Sequence, residues 1–262
     1  MDNTQGNPQR PADTKAPSAD GSQADILTSV PGVRATKERK PFRENGRDKR
    51  LVDPGTSRAT VAASLESPNG TPASNWTARH QHQTVLQQHC AFFDPDNDNI
   101  IYPTDTYRGF HRLGFGVLLS LLAVFIIHPT FSYPSLNSCI PDPYFRVCTT
   151  NIHRCKHGSD SGAYDTEGRF VPQRFEDMFA KYADGGDSLD VRQLWHLTRG
   201  QRVIFDPVGW FAAFFEWLAV YIMLWPDDGK LSKESLRRIF DGSIFYTIAA
   251  RRARNETGIR SE

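Results

Sequence analysis

Residues 86–110 read LQQHCAFFDPDNDNIIYPTDTYRGF and have the pattern of a helix, an acidic loop and a second helix. The acidic loop, residues 94–105, places Asp94, Asp96 and Asp98 at its first, third and fifth positions. Calcium prefers oxygen ligands, and carboxylates with this spacing surround the ion in an EF-hand loop. The pattern therefore predicts a single calcium-binding EF-hand.

The remaining positions of the loop complete the predicted ligand set. Ile100 would offer its backbone carbonyl at the seventh position, and Asp105 stands at the twelfth. Asn99 replaces the usual glycine at the sixth position, where asparagine also tolerates a left-handed backbone. Asp105 is shorter than the usual glutamate, so we expect a lowered affinity for calcium. The alternative is an Asp/Asn-rich turn without a metal.

EF-hands usually occur in pairs, and residues 182–193 offer a candidate partner for the first loop. When Leu189 is aligned with Ile101, the flanking segments look helical but most ligand positions lack carboxylates. We expect a degenerate EF-hand-like unit that pairs with the first loop without binding calcium. Residues 227–231, DDGKL, form another turn of this kind for which no metal is expected.

The apolar run LGFGVLLSLLAVFII occupies residues 113–127, and no formal charge occurs in residues 113–141. A helix of this run is about 22 Å long, short of the roughly 30 Å hydrocarbon core of a bilayer. Pro129 and Pro134 are expected to end it, which favours a membrane-associated helix or a hairpin with a proline turn. The alternative is a buried core helix.

A second apolar stretch covers residues 208–225 and carries three tryptophans, with Glu216 in its middle. Tryptophan suits a bilayer interface, where one edge of the ring stays hydrated. A carboxylate is costly in hydrocarbon, so this stretch is expected to be an interfacial or core helix instead of a span.

The apolar content of the chain is unevenly distributed along its 262 residues. Residues 1–80 hold eight of the 17 prolines and two aromatic residues, and are expected to be a disordered tail that includes the basic segment 34–50.

The formal net charge of +1 argues against a nucleic-acid binder. The four cysteines form no CxxC pair, which argues against a structural zinc site.

These patterns predict a mostly α-helical protein with five segments. They are a disordered polar and basic tail (1–80), the EF-hand (81–112), the apolar membrane-associated segment with its proline turn (113–141), a helical region containing the degenerate EF-hand (142–250), and a basic tail (251–262).

Three long motifs together resemble the caleosin/peroxygenase family. They are residues 86–110 quoted above, NIHRCKHGSDSGAYDTEGRF at residues 151–170, and LSKESLRRIFDGSIFY at residues 231–246. The resemblance covers residues 84–246. It implies an enzyme, a peroxygenase of the plant and fungal type, that is calcium-dependent and contains a b-type haem (heme b).

The resemblance implies a haem site that depends on His89 and His157, and either residue could be the axial ligand. His153 is the next candidate, and Asp160 could accept a hydrogen bond from His157. The implied reaction transfers oxygen from fatty-acid hydroperoxides to unsaturated fatty acids, giving epoxides, or to other acceptors. His89 lies five residues before Asp94, which would couple calcium binding to the haem site.

The resemblance also implies attachment to the lipid-droplet monolayer or to the endoplasmic reticulum (microsomal) membrane, facing the cytosol. Two functions without catalysis remain as alternatives: a structural lipid-droplet protein and a calcium-responsive membrane adaptor. No nucleic-acid partner is expected, and the sequence leaves a homo-oligomer open.

Overall fold

The computed structural model describes residues 51–259, and these are mostly helical, as the sequence predicts. The predicted basic segment 34–50 lies outside the described residues. The α-helices are α1 Trp76–Arg79, α2 Val85–Cys90, α3 Pro103–Arg112, α4 Val117–Ser135, α5 Pro172–Tyr182, α6 Val191–Gly200, α7 Pro207–Leu224, α8 Lys233–Phe240 and α9 Ser243–Ile259. The short strands are β1 Ile100–Ile101, β2 Val147–Cys148, β3 Ser188–Asp190 and β4 Lys230–Ser232. Helix α9 continues through residue 251, where the sequence predicted the start of a tail.

The first helix–loop–helix unit consists of α2, the acidic loop and α3. Thr84 and Gln87 form a capping box at the start of α2, and Pro103 occupies the first turn of α3. Strand β1 pairs antiparallel with β2, which places Ile101 opposite Val147. The predicted pairing of this loop with residues 182–193 is therefore wrong.

The degenerate loop pairs with the turn that follows α7. Strand β3 lies antiparallel to β4, with Leu189 opposite Leu231, and both leucines are fully buried. The backbone N–H and C=O groups of β3 need hydrogen-bond partners, and β4, which follows the turn at residues 227–231, supplies them. Like β3, β4 lies between two helices. Helices α5 to α8 thus form a second, paired helix–loop–helix unit.

A cluster of aromatic rings fills the core between the second unit and the chain segments around it. Phe170, Phe175 and Phe240 contact one another with ring centroids 5.6–5.7 Å apart, and Phe179 extends the cluster at 5.2 Å from Phe175. Edge-to-face packing of this kind adds to the stability gained from burying the rings. The cluster fixes α8, which in turn contacts α2 of the first unit.

Residues 51–80, which the composition assigned to the disordered tail, are ordered and packed against the core. Ala62, Ala63 and Trp76 are buried, and the backbone of Arg58 pairs with that of Phe170. Apart from the short helix α1, its backbone forms local turns and is joined to the core by hydrogen bonds to distant residues, such as that of Gln173 N–H to the carbonyl of Pro54. Its position therefore depends on the rest of the fold.

Arg237 of α8 anchors this segment from inside the core. Its side chain is fully buried and donates to the carbonyl of Ala62 at 2.8 Å and to the hydroxyl of Thr71 at 2.9 Å. The buried carboxylate of Asp241 lies 3.5 Å away and accepts a hydrogen bond from the Thr71 hydroxyl at 2.6 Å.

The Arg237→Met variant is expected to lower the free energy of unfolding by about 3–5 kcal/mol, because Asp241 stays buried without its counter-charge. Denaturant titration of the purified protein measures the loss. The exposed Arg192 of α6 provides the control, since Arg192→Met should change stability by less than about 0.5 kcal/mol. Equal midpoints for the two variants would contradict the anchoring role of Arg237.

Helix α4 passes through both prolines and ends at Ser135, so the proline turn predicted within residues 113–141 is not formed. Hydrogen bonds fix the helix on both sides of Pro129: His128 Nε2 lies 2.8 Å from Thr106 Oγ1, and the Ser135 hydroxyl accepts the N–H of Cys148 at 3.0 Å. These contacts with neighbouring elements hold the helix in place around the two positions at which proline lacks an N–H group.

Candidate functional site

The acidic loop brings three of the predicted carboxylates together. Oxygen atoms of Asp94, Asp96 and Asp98 all lie within 4.8 Å of one another. Asp94 is buried and accepts the N–H groups of Asp98 at 3.2 Å and Asn99 at 3.0 Å. Asn99 adopts the left-handed backbone, with φ of 66°, that its position in the loop requires. The local spacing of the sequence thus produces a concave cluster of oxygen atoms.

The electrostatics of this cluster favour a cation. Burial raises the pKa of Asp94 to about 6, and the neighbouring Asp96 and Asp98 act in the same direction. A divalent ion would compensate these converging charges. Of the other two predicted ligands, Ile100 is in strand β1, and Asp105 accepts the N–H of Tyr102 at 3.0 Å in the first turn of α3.

His89 lies on α2, with its ring held against α8 and α9. Its Nδ1 is 2.7 Å from the carbonyl oxygen of Ile239. A carbonyl can only accept, so Nδ1 carries a proton, and in the neutral ring, which burial favours by lowering the pKa of His89, Nε2 keeps its lone pair. Phe245 packs edge-on at 5.1 Å, and none of the described residues hydrogen-bonds Nε2. A histidine whose other nitrogen donates to a carbonyl is the usual form of a metal ligand.

His157 follows the 3₁₀ helix Thr149–Cys155 and lies close to two carboxylates. Its Nε2 is 3.5 Å from Glu216 Oε1 of α7, and its Nδ1 is 4.0 Å from Asp206 Oδ2. Nδ1 is buried and has no hydrogen-bond partner among the described residues. A buried ring nitrogen without a partner is rare and marks a candidate functional group.

The two histidines have opposite electrostatic surroundings. Burial lowers the pKa of His89, against the opposing hydrogen bond to Ile239 and the charges of Glu216 and Asp241. Burial also acts to lower the pKa of His157, but the hydrogen bond and charge of Glu216 outweigh it and raise that pKa. The charge of Glu216 therefore acts on both rings. Titratable groups whose surroundings shift their pKa values in opposite directions are typical of sites that move protons.

Glu216 and Asp206 are the residues that the sequence reasoning missed. Asp206 begins α7 by accepting the N–H of Gly209 at 2.9 Å, and it also accepts the N–H of Ser159 at 2.9 Å, which ties the His157 segment to α7. Glu216 could have been recognised as a candidate site residue from the sequence, because a lone carboxylate in an apolar stretch needs a specific partner.

Two other sequence expectations differ from the observed contacts. Asp160, proposed to accept from His157, instead pairs with Lys156 Nζ at 3.3 Å and accepts the N–H of Gly162 at 2.7 Å. His153 is half-buried within the 3₁₀ helix. Tyr164, which the sequence did not single out, donates its hydroxyl to the carbonyl of Phe240 at 2.6 Å, beside the backbone group that holds His89.

Helix α4 exposes its apolar side chains and buries its polar ones. Leu118 and Phe125 are 78% and 76% exposed, whereas Ser120, His128 and Ser132 are buried. Helix α7 likewise exposes apolar residues, and both helices are long and apolar enough to cross a membrane. Soluble helices show the reverse pattern, and exposed apolar surfaces of this size usually mark a contact with a membrane or a partner.

Comparison with known proteins identifies close relatives. The family model described as "Caleosin related protein" matches residues 81–249. A "Peroxygenase" of Lilium longiflorum is 42% identical over 229 residues, which cover 87% of this chain and 93% of the relative. A "Probable peroxygenase 4" of Arabidopsis thaliana is 36% identical over 174 residues, covering 66% and 89%.

A third relative, a "Probable inactive peroxygenase-like protein" of Arabidopsis thaliana, is 28% identical over 155 residues, covering 56% of this chain and 70% of the relative. No solved structure matches the chain. The two more similar relatives support a peroxygenase activity. Since the family model spans well over half of the sequence, the chain belongs to the caleosin family.

Proposed function

We propose that this caleosin is a calcium-dependent haem peroxygenase. It would transfer oxygen from fatty-acid hydroperoxides to unsaturated fatty acids, giving epoxides, or to other acceptors. Its place would be the lipid-droplet monolayer or the cytosolic face of the endoplasmic reticulum membrane. The observation that carries this proposal is the tautomer of His89, whose Nδ1 donates to the Ile239 carbonyl and leaves Nε2 available as a ligand.

The donor set fits a b-type haem. His89 has the neutral imidazole and the carbonyl partner that a ligand to iron needs, and Phe245 limits the rotation of its ring. When bound, the haem would supply the iron centre at which the peroxide oxygen is released and passed to the acceptor. His157 does not have the same form, because its Nε2 faces a carboxylate. We therefore propose that His89 would hold the haem.

His157 would act as the proton carrier of the site. Cleavage of a hydroperoxide needs a group that takes a proton from one peroxide oxygen and delivers it to the other. Glu216 raises the pKa of His157 and orients its Nε2, while Nδ1 remains buried without a partner. Nδ1 is thus the nitrogen that could exchange a proton with a bound peroxide.

The calcium loop would support the site by holding α2 in place. The 3₁₀ helix Ala91–Phe93 connects the end of α2 to Asp94, whose backbone N–H donates to the carbonyl of Ala91. An ion bound by Asp94, Asp96 and Asp98 would fix the helix end and, with it, the ring of His89.

Calorimetric titration with calcium is expected to find one site per chain, and the Asp94→Asn variant should not bind. Asp184→Asn in the degenerate loop is the matched control, because Asp184 accepts the amide of Gln193 there and should leave binding unchanged. Two equivalent sites, or calcium binding that survives Asp94→Asn, would contradict this assignment.

A direct assay tests the proposed function itself. Full-length protein supplied with haem should convert an unsaturated fatty acid to its epoxide only when a hydroperoxide is present, and chelation of calcium should lower the rate. The "inactive" relative favours a second candidate, a structural lipid-droplet protein without catalysis. Membrane attachment without haem absorbance and without oxygen transfer would establish that second function instead.

A further inference from the structure

A cavity of about 830 Å³ lies where α1, the end of α3 and α9 meet, and neither His89 nor His157 lines it. Four arginines line it: Arg79, Arg112, Arg238 and Arg252. None of the described residues that line the cavity is acidic. The site thus concentrates positive charge in a concave surface that the proposed reaction does not use.

The arginines of this cavity have no carboxylate partner among the described residues. Arg238 donates to Ser243 and Thr247, and the guanidinium of Arg112 lies 4.7 Å above the ring of Phe92. The adjacent Asp241 is buried and already engaged by Arg237. Like charges held together in this way repel one another, and an anion bound between them would relieve that repulsion.

The cavity also has an apolar wall and lies at the start of the exposed apolar helix. Trp76, Tyr246 and several alanines of α9 line it. Arg112 ends α3, five residues before α4 begins, and the guanidinium of Arg252 packs directly against Gly114 in the connection. A β-carbon at Gly114 would lie 2.0 Å from that guanidinium, and φ there is +98°. The positive charge of the arginines therefore lies next to the N-terminal end of α4.

We propose that this cavity binds the phosphate of an anionic phospholipid headgroup. The inference rests on the proposed membrane association, since α4 would place the cavity at the level of the headgroups. Planar guanidinium groups match the oxygen atoms of a phosphate and bind it in a bidentate manner. The aromatic and alanine wall would contact the glycerol and the first carbons of the acyl chains.

Titration calorimetry of the full-length protein in a nonionic detergent tests the proposal with three soluble probes: dihexanoyl phosphatidic acid, dihexanoyl phosphatidylcholine and inorganic phosphate. We expect phosphatidic acid to bind at one site per chain and at least about tenfold more tightly than the other two probes. The double variant Arg79→Gln/Arg252→Gln should lose most of this affinity. Arg192→Gln/Arg199→Gln, which removes the same charge from α6, should retain it.

Three results would overturn the proposal. Inorganic phosphate that binds as tightly as phosphatidic acid would indicate a site for the free ion. Phosphatidylcholine that binds as tightly as phosphatidic acid would show that the net negative charge of the headgroup is not recognised. An equal loss in the α6 control variant would indicate only a general effect of net charge. Flotation with phosphatidylcholine vesicles tests membrane association separately, so a failure there is distinguishable from a failure of the cavity.

Discussion

The His89→Val variant is expected to lose haem absorbance and, with it, all hydroperoxide-dependent oxygen transfer. Nε2 of His89 is the proposed ligand atom, and valine offers no donor in its place. The carbonyl of Ile239 would also lose the hydrogen bond that it accepts at 2.7 Å. Absorbance spectra of the purified variant, recorded after incubation with haem, measure the loss of the cofactor.

The His157→Val variant should give a different result. It is expected to keep the haem absorbance but to lose activity by about 10²–10⁴-fold, the usual contribution of a general acid–base group. The difference arises because Glu216 faces His157 and raises its pKa, whereas His89 faces a carbonyl and burial lowers its pKa.

The His153→Val variant serves as the control for this pair, since His153 lies four residues before His157 in the same segment. It should retain haem and activity. The assignment would be wrong if His157→Val lost haem while His89→Val kept it. Full activity in both variants would show that neither histidine belongs to the catalytic site.

The Leu118→Ser/Phe125→Ser variant should detach the protein from lipid. Both side chains point away from the protein and are more than three-quarters exposed, so their replacement should not disturb the fold. Burying a leucine or phenylalanine in hydrocarbon contributes about 1.5–3 kcal/mol each, so the pair contributes about 3–6 kcal/mol. Partition onto phosphatidylcholine vesicles should therefore fall about 10²–10⁴-fold.

Val52→Ser/Val191→Ser is the matched control, because these valines are also exposed, at 61% and 56%, but lie outside both apolar helices. It should float with vesicles like the unchanged protein. If the α4 variant still floats fully, the anchor is α7 with its exposed Val208 and Phe211. Deleting residues 113–133 would be a poorer test, since the buried His128 and Ser120 belong to the interior of the protein.

The features predicted correctly from the sequence depend on residues close together in the chain. The convergence of Asp94, Asp96 and Asp98 follows from the spacing of a tight loop, in which Asn99 accepts a left-handed backbone. The mostly helical character and the two apolar helices follow in the same way from local composition. Family membership was also available, because its long motifs lie in the sequence itself.

The pairing of strands could not be obtained in that way. A two-residue strand such as Ile100–Ile101 carries almost no information about which strand it pairs with. The loop of residues 182–193 was predicted to be its partner because EF-hands usually occur in pairs. Strand β2, in the segment after α4, pairs with β1, and strand β4, at the end of the turn, pairs with β3, so that Leu231 lies opposite Leu189. The continuation of α4 through Pro129 likewise depends on contacts with Thr106 and Cys148.

The sequence by itself determined the acidic loop and the helical class, because each depends on residues that are close together in the chain. The two histidines became candidates only through the family resemblance that the sequence motifs carry. Only the tertiary structure placed Glu216 beside His157, the carbonyl of Ile239 beside His89, and residues 51–80 against Arg237. These contacts join residues 59 to 175 positions apart in the chain. No local pattern specifies such pairs, since they form only when packing of the aromatic core brings the helices together.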